Sequence, residues 1–160
     1  MNVASIVRAA KFATLIAGAV AIAGCAKQQP DQNMAATAAP GSQQDFIVNV
    51  GDRVFFDTDS SELSGQARAT LDKQAQWLNQ YAHYSFLIEG HADERGTREY
   101  NIALGARRAQ TVREYLVSRG VAAQRMRTIS FGKERPVAVC NDISCWSQNR
   151  RAVTVLNQSS

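Results

Sequence analysis

Asp93 and Arg108 are the two residues best placed to do chemistry together. They stand fifteen positions apart in Gly90-His91-Ala92-Asp93-Glu94-Arg95-Gly96-Thr97-Arg98-Glu99-Tyr100-Asn101-Ile102-Ala103-Leu104-Gly105-Ala106-Arg107-Arg108-Ala109. The stretch reads as a strand end, a polar loop and the first half of a helix. Along that helix in steps of four come Tyr100, Leu104, Arg108, Val112 and Leu116. Four of the five are apolar, so this is the stripe expected to face the core, and Arg108 lies on it. A guanidinium shielded from water needs a compensating partner, since leaving it unpaired costs roughly several kcal/mol. Either Asp93 or a ligand carboxylate is expected to supply it. Asn101, two turns before Arg108, adds an amide on the same side. That makes an acid, an amide and a base around one spot.

Other chemistries find less support. His91-Ala92-Asp93-Glu94 hints at a metal, but the only other histidine is His83, and a catalytic zinc normally takes three protein ligands. No G-x-S-x-G turn is present, and Ser130 precedes Phe131-Gly132 without a strand-to-helix elbow. His91 is expected to be a satisfied polar neighbour of the site. No catalytic residue, metal or cofactor is therefore assigned. The basic doublets Arg107-Arg108 and Arg150-Arg151 lack a companion aromatic motif, so nucleic acid is not an expected partner. Removing Arg8 and Lys11 with a leader would leave 16 basic against 14 acidic residues, a net charge near +2.

The site motif closely resembles the signature of the OmpA-like peptidoglycan-binding domain, roughly G-H-[TA]-D-x-x-G-x-x-x-Y-N-x-x-L-[SG]-x-x-R-A. Gly90, His91, Asp93, Gly96, Tyr100, Asn101, Leu104, Arg108 and Ala109 all fit. Asn149-Arg150-Arg151 and the residues after it resemble a second segment of that family. Gly105 departs from the more usual Ser, at a cost of about 1 kcal/mol in a helix interior. The resemblance runs from about residue 54 to 155. It implies that Asp93 and Arg108 hold diaminopimelate of the peptidoglycan stem peptide, Asp93 at the ammonium and Arg108 at the carboxylate. It implies Asp57 as a second wall, Phe56 and Leu104 as apolar neighbours, and Asn101 as a bonding amide. Arg150 and Arg151 are read mainly as framing the last strand.

The elements that must position these residues follow from pattern. Phe46–Val50 alternates and Asp52–Phe56 follows, so both are read as extended. Ser64 is a plausible cap for a helix with Ala67, Leu71, Ala75 and Leu78 in register. Residues 84–89, 126–131 and 152–156 read as strands. Thr97 caps the helix that carries the site, and Gly120 ends it. The expectation is an α+β fold of the OmpA-like β-α-β-α-β-β kind, a sandwich with its helices on one face of a mixed four-stranded sheet.

The flanks bear on location. Arg8 and Lys11 precede thirteen mostly apolar residues, Phe12–Gly24. That run is too short to span a membrane, which takes about twenty, and it has a secretory signal's proportions. Ile22-Ala23-Gly24-Cys25 resembles a bacterial lipobox. Residues 1–24 are read as signal peptide and Cys25 as the lipidated first residue of the mature chain. Ala26, in place of an Asp, favours the outer membrane. Residues 25–44 are read as a flexible tether and 45–160 as the OmpA-like peptidoglycan-binding domain. In an oxidising compartment Cys140 and Cys145 are expected to pair as a structural disulfide. Lipobox, tether and domain in this order resemble the lipid-anchored members of the family. That likeness implies an outer-membrane protein anchored to the cell wall, with TolB of the Tol system as partner during envelope constriction and division, and no enzymatic turnover. An OmpA-like lipoprotein with another protein partner, or a wall-cleaving or metal-dependent envelope enzyme, stands as the alternative.

Overall fold

The computed structural model describes residues 38–158. The leader, Cys25 and the first part of the tether lie outside them.

The first element differs from the extended reading. Ser42 accepts a hydrogen bond from the Asp45 amide at 3.1 Å and starts a helical turn, α1 (Gln43–Asp45), which continues as a wider coil over Phe46–Val50. The alternation of Phe46, Val48 and Val50 suggested a strand, but only Phe46 is buried; Val48 is 63% exposed. Phe46 packs on Trp77 with ring centres 4.9 Å apart, and the Trp77 indole donates to Asp45. Capping and one aromatic contact outweigh a weak β pattern. Gly41, assigned to the tether, accepts a hydrogen bond from the Tyr84 hydroxyl at 2.9 Å, so this end of the tether lies against the domain.

From Arg53 on, every strand and both long helices follow the pattern. Strand β1 (Arg53–Phe55) leads to α2 (Gly65–Gln80), whose Ser64 cap accepts from the Ala67 amide. Ala67, Leu71, Ala75 and Leu78 are all buried. Strand β2 (Tyr84–His91) leads to α3 (Arg98–Ser118), capped by Thr97. Next come β3 (Met126–Gly132), a seven-residue helix α4 (Ile143–Asn149) and β4 (Arg151–Gln158). Pattern reading missed α4.

The four strands form one mixed sheet in the order β1-β4-β2-β3. β4 runs antiparallel to β1 and β2, while β2 and β3 are parallel and joined through α3. Tyr84, Phe86 and Ile88 of β2 alternate onto the buried face, beside Ala152 and Leu156 of β4. Leu71 and Leu78 of α2 and Val112 and Leu116 of α3 complete that core. Each fully buried Leu, Ile or Phe there contributes roughly 1.5–3 kcal/mol. The opposite face leaves Phe55 and Ile129 exposed.

Along α3, Leu104, Arg108, Val112 and Leu116 are buried as the four-residue stripe requires. Tyr100 is not part of that inward face. It is 45% exposed, and its hydroxyl donates to Asp59.

Candidate functional site

The loop after β2 sets the first wall of the site. Gly96 adopts a positive φ of 85°, which lets the chain reverse into the Thr97 cap. Asn101, 2% exposed, donates to the carbonyls of Arg95 at 2.7 Å and Thr97 at 3.0 Å. Its amide therefore staples the loop to α3. Lys133 adds a tie from the other side, donating to the carbonyls of Gly96 and Glu94.

Asp93 is held at the base of this loop with 7% of its surface exposed. Its Oδ1 accepts from the backbone amide of Arg95 at 3.2 Å and from Arg95 Nε at 3.0 Å. Its Oδ2 accepts from Arg95 Nη2 at 2.7 Å and from Arg150 Nη1 at 3.5 Å. Burial pushes the Asp93 carboxyl up, but these bonds and the Arg95 charge outweigh it and hold it below the ordinary carboxylate range.

Of the two partners the sequence left open for Arg108, Asp93 is not in direct contact with it. Its fully buried guanidinium donates to three backbone carbonyls: Nε to Ser60 at 2.8 Å, Nη1 to His91 at 2.8 Å and Nη2 to Asp57 at 3.0 Å. A guanidinium carries five N–H groups, so two remain. Carbonyl dipoles from the segment after β1 and from the end of β2 thus take three of its donors without any carboxylate. Burial first, then the Arg150 charge, lowers its pKa to about 10, which keeps it protonated at neutral pH. Phe56 lies beneath, its ring centre 5.1 Å from the guanidinium carbon.

A cleft of about 260 Å³ opens over these groups. Thr58 and Asp59 form one wall, the Asp93–Gly96 loop a second, and Tyr100, Asn101, Leu104 and Arg108 the third. The fold thus brings Asp93, Asn101, Leu104 and Arg108 to one place. It does not bring the side chains of Asp57 and Phe56 there. Asp57 is exposed and lines a neighbouring cleft with Phe55 and Arg150, giving only its carbonyl to Arg108. Phe56 supports Arg108 from the core, and its carbonyl accepts from Arg150 Nε. Thr58 and Asp59 take the wall position, one and two residues further on.

Three further groups shape the site. Arg95 covers Asp93, and its guanidinium carbon lies 4.2 Å over the Trp146 ring. The Trp146 indole donates to Glu94 at 2.5 Å. Trp146 belongs to α4, and the Cys140–Cys145 disulfide forms beside it. Through Trp146, α4 stands against the Asp93–Gly96 loop. Arg95 had no periodic signal to mark it, because the direction of a loop side chain depends on the turn. His91 is 1% exposed, with Nε2 3.3 Å from Glu89 and Nδ1 unpartnered. It is therefore only half satisfied. Burial, then the charges of Arg151, Arg135 and Arg53, lowers its pKa to about 4.

Comparison with known proteins fits this geometry. The model of the OmpA family matches residues 55–151. A peptidoglycan-associated lipoprotein of Rhizobium meliloti (strain 1021) is 68% identical over 144 residues, covering 86% of this chain and 82% of the relative. The crystal structure of the peptidoglycan-associated lipoprotein from Burkholderia pseudomallei superposes with a TM-score of 0.65 at 45% identity, covering 66% of this chain and 90% of that one. The C-terminal domain of Helicobacter pylori MotB shares the fold, with a TM-score of 0.63 at 18% identity, covering 68% and 86%. A relative from Mesorhizobium japonicum, 64% identical over 145 residues and covering 86% of each chain, is likewise named a peptidoglycan-associated lipoprotein. With the family signature falling on the cleft, and with similarity along most of the chain, the protein belongs to the OmpA family and within it to the peptidoglycan-associated lipoproteins.

Proposed function

We propose that this protein binds the peptidoglycan stem peptide without turnover and ties the outer membrane to the cell wall. The observation that carries the reading is one cleft with a carboxylate and a guanidinium in its walls, Asp93 and Arg108. The diaminopimelate side chain ends in an ammonium and a carboxylate. Asp93 pairs with the first. Arg108 offers the second its two remaining N–H groups from the third wall, as charge-assisted bonds. Asn101 holds the loop that carries Asp93, and Leu104 gives an apolar wall to the methylenes between the charges.

The remaining assignments complete this reading. Residues 1–24 form the signal peptide, Cys25 carries the lipid, and residues 25–44 form the tether to the domain at 45–160. Residues 26–40, ahead of the end that lies against the domain, reach at most ~50 Å, enough for a membrane-held domain to find nearby wall. TolB of the Tol system is the protein partner during envelope constriction and division.

Calorimetry with a diaminopimelate-containing stem peptide tests the site. Asp93→Ala is expected to lose ~2–5 kcal/mol of binding, more than tenfold in affinity. Wild-type affinity in a folded Asp93→Ala protein overturns the assignment. Membrane-extracted protein should exceed its polypeptide mass by acyl chains at Cys25, and a soluble, unacylated sole product rules out the anchor.

A further inference from the structure

We propose that Arg95 is an internal competitor for the Asp93 carboxylate, steadied by Trp146, and thereby a specificity-determining residue of the cleft. The inference rests on the cleft being the ligand site, as above, and adds what decides which cations reach Asp93.

Both oxygens of Asp93 are engaged by the Arg95 guanidinium, at 3.0 and 2.7 Å. An incoming ammonium therefore meets no open carboxylate; it has to displace a two-bond contact. The backbone on either side of Arg95 is fixed, since Lys133 bonds the carbonyls of Glu94 and Gly96 while Asn101 bonds that of Arg95 itself. The side chain is the movable part, 40% exposed. Movement of the Arg95 side chain leaves Asp93 the Arg95 backbone amide at 3.2 Å and the longer 3.5 Å contact with Arg150, and does not disturb the loop.

Trp146 favours the occupied arrangement. Its ring lies 4.2 Å beneath the guanidinium, a cation–π distance. The indole is itself held in place: its N–H donates to Glu94, Asp142 caps its helix through the Ser144 amide at 2.7 Å, and the Cys140–Cys145 bond closes the turn directly before it. Thr58 adds a contact to the same guanidinium at 3.4 Å. A lone amine gains only one charged contact and must give back all of these. A ligand that also brings a carboxylate and a peptide backbone gains enough elsewhere to displace Arg95. The cleft thus rejects simple amines and accepts a cation presented as part of a larger zwitterionic group.

The test uses the full-length protein, with titration of stem peptide and, separately, of methylammonium. In Arg95→Gln, stem peptide should bind about fivefold tighter, the upper range for losing an exposed ion pair. Methylammonium binding should become measurable in that variant and vanish in Arg95→Gln/Asp93→Asn. Trp146→Ala should shift stem-peptide affinity in the same direction, roughly twofold to fivefold, with Trp146→Phe in between. Arg95→Met serves as a second neutral variant should the Gln side chain make a bond of its own. Unchanged or weaker stem-peptide binding in both neutral variants, against a wild type that binds, overturns the competitor and leaves the peptidoglycan reading intact. No binding by the wild type or by either Arg95 variant defeats that reading itself and the competitor with it.

Discussion

Gly90 and Gly105 meet where α3 crosses β2. A Cβ placed on Gly90 would lie 1.8 Å from the carbonyl oxygen of Gly105. A Cβ on Gly105 would lie 2.4 Å from the Ser130 hydroxyl and 2.8 Å from the Gly90 carbonyl oxygen. The absence of both side chains lets the helix sit directly on the strand, and this spacing sets how far Arg108 stands from the His91 carbonyl. The glycine that looked like a helix defect is a packing requirement.

Gly105→Ala should therefore destabilise the domain although Ala is the better helix former. Helix propensity favours Ala by about 1 kcal/mol, and overpacking costs typically ~1–3 kcal/mol. Gly90→Ala, aimed at backbone, should cost more than Gly105→Ala. Urea unfolding midpoints of the two variants check the order, and a stabilised Gly105→Ala contradicts the close-contact argument.

Arg108 is expected to matter for stability as well as for binding. Its three carbonyl partners come from the segments after β1 and at the end of β2. Truncation to Ala leaves these acceptors to water or to nothing, and charged hydrogen bonds contribute roughly 1.5–3 kcal/mol each. A loss of ~3–5 kcal/mol is expected, read by chemical unfolding. Arg108→Lys should recover only part of it, since one ammonium cannot span all three directions. An Arg108→Ala protein as stable as wild type would show that the carbonyl contacts carry no weight.

Acidification should weaken the fold through His91. Its folded pKa of about 4 lies below the ordinary value of 6.5. As pH falls through that interval, the unfolded chain takes up the proton first, so stability drops from about pH 6.5 towards pH 4. The full effect is roughly 3 kcal/mol. Glu89, 3.3 Å from the ring, opposes the drop, while Arg151, Arg135 and Arg53 reinforce it. Asp93, held low, adds a loss in the same direction once pH falls through its own folded value. Unfolding free energies at pH 7 and 4.5 should diverge less in His91→Gln than in wild type; parallel pH profiles would remove His91 as the cause.

The Cys140–Cys145 bond closes a short loop, with a sequence separation of 5. Chain-entropy arguments give about 2 kcal/mol for such a closure. The double Ser variant should melt lower yet still bind peptidoglycan in a sacculus pull-down. A folded double variant that no longer binds would mean that the loop touches the ligand.

Much of the fold was legible because its signals are local. Ser64 and Thr97 announce helices by the chemistry of one side chain and one amide, and Leu71, Leu78, Val112 and Leu116 repeat at the helical period. Phe46–Val50 misled because five alternating residues describe a strand as well as a coil with one anchored ring. α4 escaped notice because seven residues, Ile143–Asn149, complete only two turns and bury just Cys145 and Asn149.

By itself the sequence determined the α+β class, the four strands, the two long helices and the stretch that carries the site. Periodicity, caps and residue spacing are properties of consecutive residues, so reading the chain in order suffices for them. It also established that Arg108 faces inward and needs partners. Tertiary structure alone decided who those partners are: carbonyls of Asp57, Ser60 and His91, brought together from up to 51 residues away. It likewise decided that Arg95 covers Asp93 and that Trp146, from beyond β3, lies beneath Arg95. A backbone carbonyl is present at every residue and a loop side chain can point anywhere, so composition cannot single them out. Only the packing of α3 on β2, and of α4 against the Asp93 loop, fixes their directions.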